Sequence, residues 1–401
     1  MTFKLSSRPL ISWELYDFAN TIFSAVVLTA FFPLYFTKLA GSNWMLGAAT
    51  TGTMILAGLV VPFLGALSDQ TGKTKTYLIR ATLFCIAALI FLSVLRNVFL
   101  LLLFFSISCF FYHASLVFYN SLLPVVAAPE KQGFASGLGT GLGYLGVVIA
   151  LPIATWVSGW LGEASVFATA GLLFLVSSLP LFFFVPERTA TRPISFHFSL
   201  WKTEWQKLFR FLREIKSRPD WLLFFAGNFF AIDALNTMIL WFSVYARETF
   251  HPGQSGIISL LIGINLSAFI LGIGAGFLTD RWGAMKTLIL STLALALSVI
   301  ALTLVPDYRS FIGVAVTGGA FSIAGIWTSG RKALLELAPA DRTGEFFGVY
   351  GLITKVSVIG NLVFSVVADV AGFKMALRVL LFPSLMGFGF LFFCSKIRSR
   401  S

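Results

Sequence analysis

Long apolar stretches alternate with short polar joints from one end of the chain to the other. Twelve of them run for about 20 residues or more, enough for a helix to cross the roughly 30 Å of a bilayer's hydrocarbon. They lie near 11–38, 44–67, 76–95, 97–123, 134–158, 164–185, 220–247, 254–279, 287–305, 308–337, 343–370 and 374–395. Backbone amides find no water partner in lipid, so each stretch must satisfy its own hydrogen bonds as a helix. The runs are too long and too little alternating for barrel strands. The expected fold class is all-α and membrane-integral, with 12 transmembrane helices. An even number of spans puts both termini on one side.

One polar stretch is long, Pro186 to Asp220, and it divides the chain into residues 1–185, a linker 186–219, and residues 220–401. Within it Trp201, Trp205, Leu208, Leu212 and Ile215 recur at helical spacing, while Lys202, Lys207, Arg210, Arg213 and Lys216 fall mostly off that stripe. The pattern predicts an amphipathic linker helix whose basic face suits the anionic inner leaflet.

Composition reinforces the membrane reading. Hydrophobic residues make up 57% of the chain and charged ones 11%, too few to cover a water-soluble enzyme. The net charge of +12 would suggest nucleic acid on a soluble protein, but its distribution gives it another meaning. If both termini are cytoplasmic, 22 Lys and Arg lie on that side and 6 on the other, a strong positive-inside bias. The start of the chain shows no small-residue cleavage site, so the first span is expected to be retained. Cys85, Cys109 and Cys394 fall singly within spans, and only three His occur, so no disulfide framework, metal site or cofactor is expected.

A repeat organises the spans. Gly65-Ala-Leu-Ser-Asp69-Gln-Thr-Gly72-Lys73-Thr-Lys75 recurs 211 residues later as Gly276-Phe-Leu-Thr-Asp280-Arg281-Trp-Gly283-Ala-Met-Lys286. Gly137 and Gly348 keep the same offset. Each Asp ends a helix, each second Gly permits a tight turn, and Lys73, Lys75 and Lys286 can reach acids on adjacent helices. The repeated loop resembles the G-x-x-x-D-x-x-G-x-[R/K] signature of the major facilitator superfamily. That resemblance implies two pseudo-symmetric six-helix bundles, a solute path between them, and gating roles for the two loops.

Ionisable side chains at membrane depth are costly and therefore functional candidates. Glu14, Asp17 and Asn20 form one polar stripe on span 1, with Tyr16 beside it. Span 7 carries Asp233, Asn236 and Thr237, and its Asp-x-x-Asn spacing is expected to repeat that of Asp17 and Asn20. The two Asp stand 216 apart, so this correspondence requires the first connection of a half to absorb five residues. Span 4 offers His113, Tyr119 and Asn120, span 10 offers Trp327 and Arg331, and span 11 offers Lys355. The superfamily resemblance implies that spans 1, 4, 7 and 10 line the cavity. Acids facing an ammonium and cations facing a carboxylate would suit a small zwitterion. Glu14, Asp17 and Asp233 are the candidates for proton coupling. Glycines at 137, 139, 141, 143 and 146 in span 5, and at 263, 272, 274 and 276 in span 8, are small-residue packing faces.

Three further stretches narrow the resemblance. Trp13-Glu14-Leu-Tyr16-Asp17-Phe-Ala-Asn20 resembles the W-x-L-Y-D-[WF]-A-N opening of the vacuole-effluxer-like family, bacterial relatives of the autophagy-related vacuolar amino-acid exporter. Pro186-Glu187-Arg188-Thr189 is similar to its P-E-R segment, and Glu345-Phe-Phe-Gly348-Val-Tyr-Gly351-Leu-Ile-Thr-Lys355 to its E-F-F-G-x-Y-x-L-x-x-K segment. Span 7 departs from the family's Y-N-D-G, reading Ala-Ile-Asp233-Ala.

The expected function is secondary active transport of a small polar, amino-acid-like solute, coupled to protons, by a monomer in a bacterial inner membrane. The chain carries no G-x-x-x-x-G-K-[ST] loop for nucleotide. Two alternatives remain open at this level: an exporter of an amphiphilic lipid or drug, and a non-transporting receptor or scaffold. Neither an enzyme nor a nucleic-acid partner is expected.

Overall fold

The computed structural model describes residues 8–127, 132–187, 199–339 and 343–399. Lys4, Lys131, Arg188, Thr189, Arg192, Arg342 and Arg400, named or counted above, lie outside them. Twelve helices in the described residues are long and apolar enough to cross a membrane. Spans 1 to 6 are Arg8–Ala40, Asn43–Val61, Thr74–Val94, Val98–Ser121, Gly141–Leu161 and Ser165–Phe184. Spans 7 to 12 are Pro219–Phe250, Gln254–Trp282, Ala284–Leu304, Tyr308–Leu337, Phe346–Ala371 and Phe373–Arg398. All the regular secondary structure of the described residues is helical.

Span ends are closed by specific chemistry. The Asn97 side chain accepts the N–H groups of Phe99 and Leu100 and so caps span 4. Asp307 likewise caps span 10 through the N–H of Ser310, and that bond holds its carboxyl below the usual carboxylate range. In the duplicated loops Gly72 and Gly283 adopt φ of 64° and 97°, a left-handed geometry that favours glycine.

The helices are not uniform. Span 1 widens into a π-helix at Phe23–Phe31 and span 10 does so at Ala315–Gly319. Span 11 is broken: one helix ends at Val356, another begins at Ile359, and Ser357 and Val358 form a turn between them.

The chain forms two compact units. The first comprises Met1–Ala40 and Leu59–Glu204, the second Gly41–Gly58 and Trp205–Ser401. Stacked aromatic rings fill the first, with Phe32 on Phe105, Phe23 on Tyr112, and Trp13 on Tyr119 at centroid distances of 3.9, 4.4 and 4.3 Å. Span 5 approaches span 1 through its glycines: a Cβ on Gly146 would lie 3.1 Å from the backbone oxygen of Phe18.

In the second unit span 12 crosses span 7 at two glycines. A Cβ on Gly387 would lie 2.8 Å from the backbone nitrogen of Ala231, and one on Gly227 would lie 2.7 Å from Leu391. The linker helix, Ser199–Ser217, exposes Lys202, Lys207, Arg210, Arg213 and Lys216. Its buried side is anchored by Phe211, which packs on Trp221, Phe225 and Phe346. The stripe read from the sequence omitted Phe211, although it falls on the same face.

Candidate functional site

Span 1 carries most of the candidates in the first unit. Tyr16 is fully buried; its hydroxyl lies 2.5 Å from that of Thr82, and its ring stacks on Tyr119. It therefore serves the interior of the bundle, joining spans 1, 3 and 4. Trp13 donates its indole N–H to the Tyr119 carbonyl at 2.9 Å, which fixes the same junction. Asp17 is half-buried against the helix Gln132–Leu161 that carries span 5, where the absent side chain of Gly139 leaves room for both its carboxylate and the Tyr119 hydroxyl.

Glu14 is only 2% exposed, and among the described residues its Oε1 has no hydrogen-bond partner. Asn20 is equally buried, and neither atom of its side-chain amide is bonded there. Buried polar atoms are nearly always paired, so this face of span 1 holds an unmet demand for a ligand, a proton or water. His113 is buried with its ring against Tyr112, whereas Asn120 is exposed.

In the second unit Asp233 is 6% exposed and its Oδ1 accepts the Gly360 N–H at 2.8 Å. That N–H is among the first of the half-helix Ile359–Ala371, which has no intrahelical acceptor for it. Asn236 donates to the Ser357 carbonyl at 3.3 Å, inside the break. The structure thus brings Asp233 and Asn236 together on the interrupted part of span 11. Lys355 is half-buried just before the break, where its stem packs on Gly58 of span 2. Trp327 is half-buried and Arg331 exposed on span 10.

The expected correspondence of Asp17 with Asp233 does not hold. Spans 1 and 7 end at Ala40 and Phe250, 210 apart, and spans 2 and 8 begin at Asn43 and Gln254, 211 apart. The first connection of the two halves differs by one residue and not by five. In this register Asp17 matches Asn228, and the shared Asp-x-x-Asn spacing is coincidental.

The two repeated loops are held differently. In the second, Asp280 forms an ion pair with Lys332 of span 10, and Arg281 lies over the ring of Phe277. In the first, the Lys75 ammonium donates to the Val185 carbonyl at 2.9 Å, so it meets a backbone oxygen and not an acid. Glu187 takes the cap position there: it accepts the N–H groups of Lys75 and Thr76 at 2.6 and 3.1 Å, and the Thr76 hydroxyl at 2.7 Å. The Asp69 side chain is outside the described atoms, and Gly65 and Gly276 face open space. Lys73 is exposed at the first turn, as is Lys286 in the second copy.

Two further acids organise span ends: Glu187, quoted above only as part of the Pro186-Glu187-Arg188 segment, and Asp369, which the sequence did not single out. Asp369 accepts the backbone N–H groups of Asn43 and Trp44 at 3.0 and 2.8 Å, together with the Asn43 amide, and so caps span 2. Below it a Cβ on Gly47 would collide with Ser365, and Thr51 donates to the Val358 carbonyl at 3.0 Å. Neither acid lies in a span interior, where a charge is conspicuous in the sequence.

The family model described as Major Facilitator Superfamily matches residues 18–275. The chain belongs to the Major Facilitator Superfamily. The MFS-type transporter YxiO of Bacillus subtilis (strain 168) is 26% identical over 385 residues, covering 90% of this chain and 88% of YxiO. An uncharacterised protein of Aquifex aeolicus (strain VF5) is 29% identical over 388 residues, covering 95% and 94%. Among solved structures, a point mutant of the nucleoside transporter NupG shares the fold with a TM-score of 0.75 at 14% identity, covering 95% of this chain and 98% of that one. A bacterial homologue of the human lysosomal transporter Spinster, inward-facing and unoccupied, gives 0.70 at 14%, covering 97% and 96%. This facilitator is therefore a membrane transporter and not an enzyme.

Proposed function

We propose that this facilitator is a proton-coupled secondary transporter of a small, zwitterionic, amino-acid-like solute, working by alternating access. Its opening motif, its Pro186-Glu187-Arg188 segment and its span-11 motif support placement in the vacuole-effluxer-like family, and its cation distribution supports cytoplasmic termini in an inner membrane. The observation that carries the reading is Glu14: a carboxyl 2% exposed, on a membrane span, with an oxygen unpartnered among the described residues. Such a group is stable when protonated and costly when charged, which is the property a proton carrier needs.

Asp17, one turn along the same stripe, relays the proton and faces the solute's ammonium. Tyr119, Asn20 and His113 provide the polar wall of the first unit and Asn120 its margin, and Trp327 belongs to the polar lining of the second unit. Lys355, with Arg331, attracts the solute's carboxylate. Asp280 with Lys332, and Gly72 with Lys73 and Lys75, hold the gating loops in one of their states.

The test separates coupling from transport. In proteoliposomes Glu14→Gln is expected to retain solute exchange within about threefold of wild type while losing accumulation driven by a pH gradient, a loss of roughly tenfold or more. Gradient-driven accumulation at the wild-type level in Glu14→Gln would remove Glu14 from the coupling path.

A further inference from the structure

We propose that the break in span 11 is a sodium site in which Asp233 is the charged ligand. The inference rests on the transporter reading only for the use made of the ion; the site itself is argued from the geometry of the second unit.

Irregular backbone at membrane depth survives only where its polar groups are satisfied, and transporters use such interruptions to bind ions. Here three side chains clamp the interruption. Asn236 donates to the Ser357 carbonyl, Thr51 donates to the Val358 carbonyl, and Asp233 receives the Gly360 N–H. The polar side-chain atoms closest to the open side of Gly360 are oxygens. The point where a Cβ on Gly360 would stand lies 2.6 Å from Asp233 Oδ2 and 2.7 Å from Thr237 Oγ1, so these two oxygens meet over the glycine. Thr237 is fully buried, and its hydroxyl has no hydrogen-bond partner among the described residues. Ser357 Oγ, in the break, and Asn361 Oδ1, next to Gly360 in the chain, are likewise buried without a partner among the described residues.

The composition of this cluster selects its ligand. An anion requires unpaired N–H donors, whereas a carboxylate oxygen and an unpartnered hydroxyl that converge on one point are ligands of a hard cation. With one carboxylate the site balances a single positive charge, and no group of three His, Cys, Asp or Glu occurs among the described residues to hold a multivalent ion. A proton on Asp233 would donate one hydrogen bond and leave the other oxygens unmet. Lys355, whose stem packs on Gly58, precedes the break in the chain by two residues. Sodium bound here would hold span 7 to the second part of span 11.

Binding is read without transport, by thermal unfolding of the detergent-purified protein in NaCl, KCl or choline chloride at equal ionic strength. Sodium is expected to raise the midpoint saturably by several degrees over the other two salts. Asp233→Asn should abolish the sodium increment. Thr237→Val, which keeps the volume and removes the hydroxyl, should weaken the apparent sodium affinity about tenfold. Equal midpoints in the three salts, an increment that survives Asp233→Asn, or unchanged affinity in Thr237→Val would each overturn the site. A sodium increment without transport of any solute would leave the site standing and count against the transporter reading, and pH-driven transport without the increment would do the reverse.

Discussion

Single carboxylates do unlike work in this chain, and their surroundings decide which. Glu14 is buried without a full set of partners, Asp233 sits on a half-helix terminus, and Asp369 and Glu187 cap spans 2 and 3 from the outside. Their order of legibility follows from what a sequence encodes. Glu14 and Asp233 stand out because a charge inside an apolar run is conspicuous. Asp369 and Glu187 stand near span ends, where charges are ordinary, and their partners lie 326 and 112 residues away along the chain. For the same reason Tyr16, read as a cavity residue beside two acids, proved to be interior structure once Thr82 and Tyr119 were seen around it. Removing a cap leaves orphaned N–H groups, so Asp369→Ala should cost about 1–2 kcal/mol of stability. Denaturant unfolding of the purified protein measures it, and a change of less than a few tenths would contradict the role of Asp369 as a cap.

At the level of elements, apolar run length placed the spans well: the boundaries read for span 10 and the start read for span 8 coincide with the structure. The interruptions were hidden. Residues on both sides of the Ser357–Val358 turn are as apolar as any helix, and the bonds that make the turn tolerable come from Asn236 and Thr51, remote in sequence. The glycine faces were legible as small residues but not as specific contacts. Among them Gly139, Gly143 and Gly146 meet span 1, whereas Gly274 and Gly276 meet nothing within 4 Å. Among the described residues the closest approach of a glycine to the backbone of another helix, Gly387 on Ala231, belongs to span 12 and lay outside both faces. Backbone cannot yield as a flexible side chain can, so Gly387→Val should destabilise the protein by on the order of 1–3 kcal/mol. A thermal midpoint equal to wild type in that variant would show that spans 7 and 12 are looser than described. Gly276→Ala, facing open space, is the matched control and should leave the midpoint unchanged.

For the molecule as a whole, the duplicated loops and the recurrence of span ends at offsets of 210 and 211 residues describe one six-span plan used twice. The plan was legible because glycine, aspartate and lysine at a helix end leave a recognisable spacing. The chemistry of the two copies is not duplicated: an acid lies buried on span 1 in one, while the other carries Asp233, Lys355 and a broken span. That asymmetry suits a carrier in which one unit handles a proton and the other a solute carboxylate and a metal cation. The central claim is that charges at membrane depth couple solute movement to a proton gradient. Its most direct test is uptake of a pooled, labelled library of small polar solutes into proteoliposomes, with and without an imposed pH gradient, for wild type and Lys355→Met. Accumulation of a zwitterionic solute that requires the gradient and disappears in Lys355→Met is the expected result. Equal flux with and without the gradient, or full accumulation in Lys355→Met, would contradict it.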